Sequence, residues 1–88
     1  MQWTMAQAKR DFARGVLASA EIKWFGLGMG YGLLLTSKLA GEGSGLLVDA
    51  RGRKPRQFRT ADAVIVTARE IGFMPWSLKI EGDERPAE

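Results

Sequence analysis

The sequence predicts an α+β domain: an N-terminal helix, an antiparallel sheet of three or four strands, and a second helix packed on one face of that sheet. Three observations carry this. Apolar residues recur at helical spacing near the start of the chain and again over residues 64–71, the stretch between them holds four glycines within residues 26–32, and short runs rich in branched and aromatic residues lie between turn-forming clusters. At 88 residues the chain accommodates one compact domain, expected over residues 1–80, and an apolar content of 45% is that of a soluble globular protein. A domain this small buries only about 60% of the surface its unfolded chain exposes, which makes a homodimer an expected way of gaining stability.

The elements follow in order. Thr4 is placed to cap the first helix with Gln7 at the capping-box position, and Met5, Ala8, Phe12 and Val16 form its apolar face. Lys9, Arg10 and Arg14 fall largely off that face, and Gly15 weakens the last turn, so the helix is expected to end by Ala18. Gly26, Gly28, Gly30 and Gly32 argue against helix over residues 21–36. Two strands, Glu21 to Phe25 and Tyr31 to Thr36, are therefore expected on either side of a glycine-rich turn.

A loop over Lys38 to Gly45 leads to a third short strand from Leu46 through Val48, ending near Ala50. Residues 51–55 then read as a turn and Arg56 to Arg59 as a fourth strand returning beside the third, which makes a hairpin. The second helix runs from about Thr60 to Ile71, with Thr60 as cap, Asp62 at the favourable end of the helix dipole, and Val64, Ile65, Ala68 and Ile71 on one face. Gly72 and Phe73 read as a glycine stop followed by an apolar residue folding back. Residues 76–80 either add a final strand or lay Trp76, Leu78 and Ile80 across the core. The acidic residues 81–88, with a net charge of −3, are expected to form a disordered tail, leaving +6 on residues 1–80.

Composition excludes much chemistry. Without cysteine there is no disulfide framework and no thiolate metal site, and without histidine the familiar general base and the serine triad are missing. No serine lies in a nucleophile elbow, Asp49 and Asp62 read as a turn residue and a helix-start residue, and the acids are not spaced as a hard-cation loop requires. The glycine run lacks both the dinucleotide fingerprint, since position 31 is Tyr31 and a strand follows, and the Gly-Lys-Ser/Thr ending of a nucleotide loop. It reads instead as a turn, or as a glycine face that lets another element approach. The expectation is a non-enzymatic protein with no cofactor, no metal and no small-molecule substrate. The longest apolar run, Trp24 to Leu35, falls short of the roughly 20 residues of a spanning helix, and the N-terminus lacks a secretory pattern, so a cytoplasmic protein without a membrane partner is expected.

What remains is charge. Arg51, Arg53, Lys54, Arg56 and Arg59 fall within nine residues with no acid between them, and Gly52 and Pro55 shape the turn that carries them. Such a cluster either meets a polyanion, as a basic hairpin lying along a nucleic-acid backbone does, or is a solvated tip with arginine stems packed over Phe58 or nearby rings. Of Trp3, Trp24, Phe25, Tyr31, Phe58, Phe73 and Trp76, most must be core, with at most one or two exposed as stacking platforms or as a dimer contact.

The stretch from Leu46 to Ala63, a strand, an Ala50-Arg51-Gly52 turn and the helix entry Arg56-Gln57-Phe58-Arg59-Thr60-Ala61-Asp62-Ala63, continues to an Ile71-Gly72-Phe73 exit. It resembles small accessory proteins of bacterial plasmids and mobile elements, including those of the partition-associated (ParC-type) kind, over roughly a third of the chain. The resemblance implies a role in plasmid stability or its regulation, with DNA or a partition ATPase as partner. The first expectation is thus a nucleic-acid-binding accessory protein that contacts phosphates through the five basic residues. The alternative is a homodimeric interaction module whose basic hairpin docks an acidic protein surface.

Overall fold

The computed structural model describes residues 2–39, 41, 43–51 and 54–80. The first helix, α1 (Met5–Ala13), opens with the expected reciprocal cap: Thr4 Oγ1 accepts the Gln7 N–H and Gln7 Oε1 accepts the Thr4 N–H. It ends at Ala13, within the expected limit of Ala18, and Val16, expected on its apolar face, lies beyond it. The Gly15 N–H donates to the Phe12 carbonyl and the Val16 N–H to the Asp11 carbonyl, both at 2.9 Å, a Schellman closure that turns the chain straight into a strand.

That strand, β1 (Leu17–Trp24), pairs antiparallel with β2 (Tyr31–Ser37), in a register that sets Ile22 against Leu33 and Trp24 against Tyr31. β3 (Ser44–Leu46) pairs antiparallel with β2 and begins within the segment expected to be loop. The fourth strand is a correction to the expected topology. β4 (Lys79–Ile80) joins the other side of β1 in parallel, so the sheet is mixed, in the order β3-β2-β1-β4.

Residues 56–59, expected as a strand, form no ladder. Asp49 N–H donates to the Lys54 carbonyl at 2.9 Å and Val48 bridges Pro55, so the hairpin closes, but the returning leg then leaves Val48. Arg56 N–H reaches the Leu47 carbonyl, and Phe58 and Tyr31 exchange both backbone bonds at 2.8 Å. Pro55 has no N–H to give, and the leg changes partners within three residues, so only single bridges form. On the far side of the hairpin's first leg, Trp3 adds a parallel bridge to Leu47.

The second helix, α2 (Ala61–Ile71), is capped by Thr60 Oγ1, which accepts the Ala63 N–H, and stops at Gly72. The ring of Phe12 lies where a β-carbon on Gly72 would sit, and Phe12 meets Phe73 edge-on with ring centroids 4.8 Å apart. The expected fold-back of Phe73 therefore fastens α2 to α1. Both helices pack on the sheet face that carries Ala20, Ile22, Leu33 and Leu35, and the core is completed by Ala8, Val64, Ala68 and Ile71, with Trp3, Leu47 and Phe58 from the bridging segments. Trp76 does not lie across that core. Pro75–Ser77 form a 3₁₀ turn that points Trp76 outward at 83% exposure, Ile80 is half exposed, and Leu78 alone packs inward.

Among the described residues no helix is long and apolar enough to cross a membrane. The acidic residues 81–88 lie outside the described residues.

Candidate functional site

The basic residues sit on a stem with fixed footing. Below the turn, the Asp49–Lys54 backbone bond and the Val48–Pro55 bridge join the two legs, and the Arg51 N–H donates to Asp49 Oδ1 at 3.1 Å as in an Asx turn. Further along, the Tyr31–Phe58 bridge ties the returning leg to β2. Arg51, Lys54 and Arg59 are exposed, and Arg56 is half-buried. Arg53 lies outside the described residues.

The structure does not gather these cations into one flat patch. Arg56 lays its guanidinium over the Phe58 ring, Cζ 4.9 Å from the centroid, as the solvated-tip reading expects of one stem. Arg56 also lines a cleft together with Asp49 and with Thr4, Met5 and Lys9 at the start of α1. Lys54 borders a different hollow, against Phe25, Met29 and Gln57. Arg59 borders a third, of about 510 Å³, between residues 57–59 and the tip of the β1–β2 hairpin. The ion pairs resolved among the described residues, Arg10 with Asp11 and Lys23 with Glu21, involve none of Arg51, Lys54, Arg56 and Arg59.

The third hollow contains what sequence reasoning missed. The glycine run is the turn it was read as, with the Phe25 N–H bound to the Gly30 carbonyl and the Met29 N–H to the Gly26 carbonyl. It also stands beside the basic leg. Gly30 has φ 75°, and a β-carbon there would collide with the Phe58 carbonyl that accepts the Tyr31 N–H, so glycine permits the close approach. The residues between the glycines have no core to enter: Leu27 is 93% exposed and Met29 half exposed, while Trp24 at the end of β1 is 54% exposed. The signal was present as a Gly-Leu-Gly-Met-Gly alternation, which puts apolar side chains on a turn too tight to bury them. Their adjacency to Arg59 depends on a long-range bridge that no local pattern encodes.

A second residue went unnoticed. Asp11 is buried in α1 and accepts the indole N–H of the fully buried Trp3 at 2.9 Å, with Arg10 on its other oxygen at 3.2 Å. The indole hydrogen bond holds the carboxyl below its ordinary range against the opposing effect of burial, and Arg10 and Arg14 add to the lowering. Trp3 in turn exchanges backbone bonds with Leu46 and Val48, so this carboxylate supports the first leg of the basic hairpin and stands away from solvent. No group of three or more acids able to hold a metal ion occurs among the described residues. In comparisons with protein-family models, curated proteins and solved structures, the chain matches none.

Proposed function

We propose that this is a non-enzymatic, cytoplasmic accessory protein of plasmid or mobile-element maintenance that binds nucleic acid through its basic hairpin. One observation carries the reading: Arg51, Lys54 and Arg59 stand exposed on a braced stem, outside the ion pairs resolved among the described residues. Like charges clustered along the chain repel one another unless solvent or a polyanion compensates them, and a phosphate backbone supplies such compensation. Arg51, Arg53, Lys54, Arg56 and Arg59 are assigned to phosphate contact. Arg56 has a second duty over Phe58. The resemblance of residues 46–73 to partition-associated accessory proteins supports the plasmid context.

The test is a salt titration of binding to generic duplex DNA, comparing the natural chain with one in which the five basic residues are glutamine. With four or five phosphates neutralised, the logarithm of affinity should fall with the logarithm of salt at a slope of about −4, and the slope should flatten in the variant. Absence of binding at low salt refutes the reading.

The exposure of Trp76, beside the half-exposed Met74, favours a second reading in which the protein is a homodimeric interaction module that docks an acidic partner surface such as that of a partition ATPase. Exchange of the arginines for lysine separates the two. A phosphate backbone tolerates the exchange, whereas paired carboxylates need the guanidinium fork.

A further inference from the structure

We propose that the hollow between the β1–β2 hairpin tip and residues 57–59 is a binding site for single-stranded nucleic acid, with a base stacked on Trp24 and flanking phosphates held by Arg59 and Lys54. The inference rests on the nucleic-acid reading above and narrows it to one strand form.

Four observations converge. First, Trp24 and Tyr31 are cross-strand partners at the last rung of the β1–β2 ladder, and Trp24 is more than half exposed there while Tyr31 is half-buried. Second, the hollow has about 510 Å³, within the roughly 300–1,000 Å³ of ligand pockets, and its wall opposite the tip carries the exposed amide of Gln57 and the exposed guanidinium of Arg59. Third, Lys54 stands across Met29 in the adjoining hollow, so cations flank the hairpin tip on two sides. Fourth, neither hollow has a carboxylate among the described residues that line it.

The charge and the rings select the occupant. Unpaired nucleotides offer flat apolar faces alternating with phosphates, and aromatic side chains beside a cationic track are the usual platform for them. A duplex keeps its base faces stacked inside, so it engages the cations and leaves Trp24 and the protruding Leu27 without a role. An acidic peptide likewise engages only the cations. Specificity for base identity is not expected, because every base presents a stackable face and Gln57 is the one uncharged side-chain amide at the hollow.

The experiment uses the full chain and fluorescence anisotropy with a labelled oligothymidylate and a duplex of matched length, at low salt. The natural chain is expected to bind the single strand more tightly. Trp24→Ala should weaken single-strand binding by about fivefold to a hundredfold, the loss of one stacked base, and duplex binding by less than about twofold. Trp24→Phe, which keeps a ring, should retain most of the affinity. Because Trp24 is half exposed, neither change empties the core, and an unchanged circular dichroism spectrum guards against misfolding. A Trp76→Phe chain supplies a second measurement. With Trp3 buried, saturation by oligothymidylate should quench the emission of Trp24.

Equal binding of both strand forms, or single-strand binding indifferent to Trp24→Ala, overturns this inference and leaves the phosphate-binding proposal standing. No binding to either form overturns both. Binding to phosphatidylserine vesicles that depends on Trp24 and Leu27, with no oligonucleotide bound, also overturns it and assigns the tip to a lipid surface.

Discussion

Replacing Asp11 with alanine removes the acceptor of a buried indole N–H, and the size of the effect can be worked from its surroundings. Trp3 has no exposed surface and Asp11 is 6% exposed, so water does not replace the lost partner. Leaving the donor unsatisfied costs about 1–3 kcal/mol. The Arg10 contact adds little, since that guanidinium is largely in solvent and such pairs contribute about 0–1 kcal/mol. Alanine returns up to about 0.7 kcal/mol as the better helix former, which leaves a net loss of roughly 1.5 kcal/mol. For a domain of this length that is a drop in Tm of about 6–12 °C. The assay is thermal unfolding followed by circular dichroism, repeated in a Trp3→Phe background, which lacks the donor. There Asp11→Ala should cost less than half as much. An equal cost in both backgrounds, or a Tm drop below about 2 °C in the natural one, refutes the assignment of this hydrogen bond as the brace of the N-terminal strap.

Further consequences can be checked independently. Because the folded-state pKa of Asp11 is depressed, its contribution to stability is complete above the unfolded value of about 3.9 and is lost as pH falls through the lower folded value, so urea midpoints should decline below about pH 4 and the decline should shrink in Asp11→Asn. Gly30→Val places a branched side chain at φ 75° and against the Phe58 carbonyl, and should lower stability by about 2 kcal/mol or more in urea unfolding. Arg56→Gln should cost about 0.5–1 kcal/mol through its lost contact with Phe58, whereas Arg51→Gln should stay within about 0.5 kcal/mol, both read by the same unfolding assay. Deleting residues 81–88 removes a net charge of −3, and should raise affinity for any polyanion at low salt; an unchanged affinity dismisses a shielding role for the tail.

The parts of the fold that were legible in the sequence are those set by neighbours along the chain. Thr4 with Gln7, Thr60 before its helix, and Gly72 before Phe73 each act within a few residues, and each stands where local chemistry places it. The glycine run announced a turn for the same reason. Elements set by distant partners were not legible. β4 has only two residues, and its parallel pairing to β1 depends on where α2 and the 3₁₀ turn deliver the chain. The leg at residues 56–59 reads as a strand from its place after the turn, but it is divided between Leu47, which accepts the Arg56 N–H, and Tyr31, which bridges Phe58. The basic residues of the candidate site were visible as charge, whereas the nearness of Trp24, Leu27 and Met29 to Arg59 was not, because it follows from the long-range Tyr31–Phe58 bridge.

The bracing of the basic turn has an evolutionary corollary. The bonds that hold its legs, from Asp49 to Lys54, Arg56 to Leu47 and Phe58 to Tyr31, are made by backbone atoms and are indifferent to most side chains at those positions. Charge at Arg51, Lys54 and Arg59 can therefore drift, be lost or be restored with little penalty to folding, since none of these side chains belongs to the core cluster. The charge of the turn and the integrity of the fold are in this way under separate genetic control, and related chains are expected to vary most in sign and number of charges on the turn while keeping Phe58, Gly30 and the Trp3–Asp11 pair.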